Sequence, residues 1–118
     1  MPHVVIEGPI DLSRIHREIA PFEDKYPGLV LKLRDSFLSR TGSMLLFDAV
    51  VVEGTTRRFL VEADAHQGEI TVRLYPPTDP EKTPGVKRMV AEVGGRILAL
   101  EPRARVVRTN LAGLEGRR

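Results

Sequence analysis

Met44-Leu45-Leu46-Phe47-Asp48-Ala49-Val50-Val51-Val52-Glu53 is the stretch on which the fold turns. It is apolar and rich in Val, and it stops at Gly54-Thr55-Thr56, a turn signal, so it reads as a strand. Beyond that turn Phe59, Val61, Ala63 and Ala65 alternate with Arg58, Leu60, Glu62 and Asp64. After a second turn at Gln67-Gly68, Ile70, Val72 and Leu74 alternate with Glu69, Thr71 and Arg73. A period of two means a sheet with one face on a core and the other largely in water.

Upstream, Leu29 to Arg40 fits either period. As a helix it stacks Val30, Leu33 and Phe37; as a strand it sets Leu31, Leu33 and Phe37 on one face and Lys32, Arg34 and Ser36 on the other. The Thr41-Gly42 turn signal, leading straight into the apolar run, favours the strand. Pro76-Pro77 ends the meander, since neither residue can donate to a ladder.

Working outward, His3 to Glu7 is a short β-branched strand closed by Gly8-Pro9. Asp11 offers an N-cap, and Leu12, Ile15, Ile19 and Phe22 follow at helical spacing, giving a first helix over about Leu12 to Ala20. Thr83 and Pro84 open a second helix that gathers Val86, Met89, Val90, Val93, Ile97 and Leu100 on one face before Glu101-Pro102 stops it. Arg103 to Thr109 is a last strand whose arginines suit a sheet edge. The expected fold is therefore α+β over residues 1–111: an antiparallel meander of about four strands, N- and C-terminal strands, and two amphipathic helices packed on one face. Residues 112–118 have no periodicity and are expected to form a flexible tail.

With 118 residues, 42% of them apolar, one core suffices. Cysteine is absent, which excludes disulfides, a thiolate nucleophile and Cys-based metal sites. Apolar runs such as Ala49 to Val52 fall far short of the roughly 20 residues a membrane helix needs. The opening residues carry no secretory signature, so a cytoplasmic location is expected. A single Asn, a single Gln and a preference for Arg over Lys suit a thermophile. Net charge is +2, yet from Val86 to Arg118 eight basic residues face three acidic ones, a local excess of 8 − 3 = +5.

Four groups of residues invite a chemical reading. Met1-Pro2-His3 followed by a strand resembles the start of tautomerase-superfamily proteins, and the resemblance implies Pro2 as a catalytic base. It covers about six residues, and it requires Met1 to be removed, because an acylated proline nitrogen is not basic. Thr83, Gly85, Lys87 and Arg88 stand at a helix start, where unpaired N–H groups attract anions, although an ordinary capped helix with two solvated cations is the favoured account of them. Arg96, Arg103, Arg105 and Arg108 form a candidate nucleic-acid surface, although no aromatic residue follows Tyr75 to stack on bases. Asp64, His66 and Glu69 cluster near a turn without metal-ligand spacing, so neither a metal nor a cofactor is expected. With no reactive residue left unexplained, the expected role is self-association, a dimer being favoured, or binding of a protein partner. The apolar residues on both alternating faces of Met44 to Val52 support it.

Overall fold

The computed structural model describes residues 1–111 and 113. Its elements are β1 (His3–Glu7), α1 (Leu12–Glu18), β2 (Phe22–Tyr26), β3 (Leu29–Leu38), β4 (Met44–Glu53), β5 (Thr55–His66), β6 (Glu69–Leu74), a 3-10 turn at Pro76–Thr78, α2 (Pro84–Leu100) and β7 (Arg105–Thr109). All seven strands belong to one curled antiparallel sheet in the order β2-β3-β4-β5-β6-β1-β7. The expectation of a four-strand meander with separate terminal strands is thus wrong. β1 inserts between β6 and β7, pairing with both, so the chain's ends extend the meander into a continuous sheet.

The seventh strand is β2, which the helical spacing of Phe22 had concealed. α1 stops at Glu18, and Ile19 is already extended (φ −85, ψ 105). Pro21 disfavours helical geometry at Ala20 before it. Phe22–Tyr26 then alternates half-buried and exposed residues and pairs back on β3 from Phe22↔Leu33 to Tyr26↔Leu29. The connection is Pro27-Gly28, with Gly28 at φ 73, as a type II turn requires at its third residue.

A second departure lies inside β3. Leu33 pairs with Ala49 but Asp35 pairs with Asp48, so Arg34 is the extra residue of a bulge. The parity of the strand reverses there. Ser36, opposite the buried Phe47, joins the inner face, and Phe37, opposite Leu46, turns outward. Phe37 was expected beside Leu31 and Leu33; it is instead 52% exposed.

Both helices fill the inner face. Leu12 and Ile15 of α1 and Val86, Met89, Val90, Val93, Ile97 and Leu98 of α2 share one core with Leu31, Phe47, Val61 and Val72 of the sheet. α2 has the bounds its caps dictate, but Leu98 is buried where Leu100 is only partly covered. Gly94 explains how the helix lies so close: a Cβ there would stand 3.1 Å from Val4 Cγ2. The expected tail lies outside the described residues apart from Gly113. Among the described residues no helix is long and apolar enough to cross a membrane.

Candidate functional site

The start of α2 is already occupied. Thr83 Oγ1 accepts from Val86 N–H at 3.2 Å and Thr83 O from Lys87 N–H at 3.0 Å. Glu53, at the end of β4, accepts from Gly85 N–H through Oε2 at 3.0 Å. The protein therefore supplies its own carboxylate to the positive end of the helix. A Cβ on Gly85 would fall 2.8 Å from Glu53 Oε1, so this approach needs a glycine. Of the four residues singled out here, Thr83 and Gly85 make the cap while Lys87 and Arg88 are exposed.

Arg88 is held by a partner that sequence reasoning missed. Its guanidinium lies 3.9 Å above the ring of Tyr26, and that of Arg96 lies 3.6 Å above Phe22. Arg96 also donates to Glu92 (2.9 Å) and to Asp24 (3.2 Å). β2 thus fixes one flank of α2 with two rings and a carboxylate.

Pro2 is buried and lines a small cavity of about 330 Å³ with Met1, Lys82, Lys87, Asn110 and Leu111. Bonded to Met1 its nitrogen is an amide, and it becomes basic only on removal of Met1. Asn110 ties the region together, accepting from His3 N–H at 3.0 Å and donating to Met1 O at 2.9 Å. A wider groove of about 880 Å³ begins beside it and runs along the outer side of α2 past Ala91, Gly95 and Ala99.

The four arginines proposed for nucleic acid do not converge. Arg96 sits on α2, over the ring of Phe22. Arg105 and Arg108 belong to the edge strand β7, where they pair with Glu7 (2.7 Å) and Glu69 (3.2 Å). Arg103 pairs with Glu101. Glu101 is 5% exposed and is also reached by Arg14, whose Nη2 donates to Leu100 O. The side-chain and backbone hydrogen bonds of Arg103, then that of Arg14, hold the Glu101 carboxyl down to about 2. This cluster locks α1 to the end of α2.

One further feature was not foreseen. His16 Nδ1 lies 2.7 Å from Ser36 Oγ, a pairing created by the bulge at Arg34. The contact ties α1 to β3. Among the described residues no three His, Asp or Glu side chains gather as a metal would require; His66 and Glu69 simply face each other beside their turn.

The outer face of the sheet is the other notable surface. Phe37 stands opposite Leu46, with Met44 and Leu60 diagonal to that pair, and Val50 is flanked by Lys32 and Arg58. Around these lie charges of both signs: Arg34 with Asp48 at 3.8 Å, Asp35, Asp64 and the buried Glu62 with Arg73 at 2.8 Å. Sequence reasoning found the apolar excess of β4 but not the phenylalanine that crowns it.

No family model, curated protein or solved structure matches the chain, so roles for its residues rest on this geometry alone.

Proposed function

We propose that the protein acts by self-association, with the outer face of β3, β4 and β5 as the contact between two copies. The observation that carries this is Phe37, 52% exposed and stacked in register with Leu46 on a face that faces no helix. Large aromatic side chains left in water on an ordered surface are the anchors that interfaces bury. The charges at its margin support a twofold contact. Arg34 and Arg58 share the face with Asp35 and Asp64, so both signs are available to a self-complementary contact.

The dimensions are adequate. Strands of about ten residues at about 3.4 Å each, three abreast at about 4.8 Å, present roughly 500 Å² in projection. Side-chain relief and the flanking strands carry this toward the ~800 Å² that each partner gives to a standard interface. Sedimentation velocity at concentrations up to several hundred micromolar tests the proposal, since Phe37→Arg should convert a dimer to a monomer with an unchanged circular dichroism spectrum. A strictly monomeric parent protein refutes it.

A further inference from the structure

We infer, on the footing of that self-association, that Met44 makes the contact sensitive to oxidation: a peroxide that converts its thioether to a sulfoxide separates the two copies.

The chain has no cysteine and three methionines, so oxidation of sulfur can act at only three positions. Met89 is fully buried in the core, and Met1, 52% exposed, precedes β1, which lies three strands from β4 in the sheet. Met44 alone belongs to the proposed contact. Leu45 and Phe47 are buried in the core, while Met44 and Leu46, alternating with them, take the outer face and are half-buried. Leu46 stands opposite Phe37, so Met44 lies one diagonal step from the aromatic anchor. A half-buried thioether is open to a small peroxide in a free copy and is covered once two copies meet.

In the reaction a sulfur lone pair bonds to one peroxide oxygen and the O–O bond breaks. The other oxygen takes a proton and leaves as water, or as the alcohol of an organic hydroperoxide. The sulfur loses two electrons and the peroxide gains them, and a soft apolar side chain becomes a polar one with a strong acceptor and no donor. The cross-strand neighbours offer that oxygen nothing. Asp64 directly opposite and Glu62 on the diagonal are carboxylates, which only accept. A sulfoxide here keeps its water, and water is what the contact must expel, so association weakens. The fold does not, because the strand is held through its backbone: Met44 N–H donates to Ser39 Oγ at 3.1 Å, and Met44 O accepts from Ser39 N–H at 2.8 Å.

Sedimentation velocity before and after hydrogen peroxide, with each methionine followed by peptide mass spectrometry, provides the test. Full conversion of Met44 should weaken self-association at least about tenfold, the effect of burying an unpaired polar group on each copy, with an unchanged circular dichroism spectrum. Met44→Leu removes the sulfur, so the dissociation constant of that variant should be the same before and after peroxide, although Met1 is oxidised in both proteins. Oxidation of Met44 relative to Met1 should slow as the protein concentration rises through the dimerisation range, since the contact shields it. An untreated protein that stays monomeric refutes the self-association and the switch with it. In a protein that does dimerise, four outcomes overturn the role of Met44 alone: unchanged affinity after its complete oxidation, an equal loss in Met44→Leu, loss of the fold on oxidation, or a relative oxidation rate that ignores concentration.

Discussion

Removing the guanidinium of Arg73 should reveal how much strain the outer sheet face can bear. Glu62 lies on that face with its side chain only 2% exposed, and Arg73 Nε at 2.8 Å is its cationic partner. Arg73 itself is 41% exposed, so the pair is half open to water. Arg73→Ala leaves a buried carboxylate without a counter-charge, which commonly costs about 3–5 kcal/mol. Partial access of water lowers the expectation to about 2–3 kcal/mol, or a fall of roughly 1–2 M in the urea midpoint. The double variant Glu62→Gln/Arg73→Ala removes the buried charge along with its partner and should recover part of that loss. Urea unfolding of the three proteins at pH 7 decides the matter: a deficit under about 1 kcal/mol in Arg73→Ala, or none of it recovered in the double variant, refutes the reasoning.

Glu101 supplies a pH-dependent prediction. Its carboxyl is lowered to about 2 by Arg103 and Arg14, so its contribution to stability is complete above the ordinary carboxylate range and is lost as the pH falls toward 2. Glu101→Gln should flatten the acid limb of a stability–pH curve below about pH 4.5, and an unaltered limb counts against the cluster as an acid-sensitive lock. At Gly94, Ala should be nearly neutral, since about 1 kcal/mol of helix propensity offsets the tight 3.1 Å contact with Val4. Gly94→Leu should cost about 2–3 kcal/mol by lifting α2 from β1, with partial recovery in combination with Val4→Ala; thermal melts that show no recovery place the strain elsewhere.

The elements that were legible in the sequence are those whose local pattern agrees with their final pairing. β4 and β5 align residue for residue from Met44↔Asp64 to Glu53↔Thr55, with no bulge to disturb the alternation of Phe59, Val61 and Ala63. α2 was equally plain, because Thr83, Pro84 and the apolar stripe all mark the same helix. β2 was not, for a different reason. Glu23, Asp24 and Lys25 have poor strand propensity, and the segment is held by β3 on one side and by Arg88 and Arg96 over its rings, contacts that lie more than sixty residues away in the chain.

The outer face shows how far a single residue can mislead a sequence reading. Strict alternation from Leu31 and Leu33 assigns Phe37 to the core, and the assignment fails only because Arg34 is inserted into the ladder. One extra residue moves every later side chain of β3 to the opposite face, bringing Ser36 in to His16 and sending Phe37 out to Leu46. Hydropathy registers neither event, since the composition of the strand is unchanged. The excess of apolar residues on β4 was visible because it needs no register to detect, whereas the aromatic anchor beside it follows from a bulge that only the pairing of Asp35 with Asp48 discloses. A surface built in this way combines a feature that pattern reports with one that pattern hides, and the hidden one, Phe37, is the residue on which the proposed contact chiefly depends.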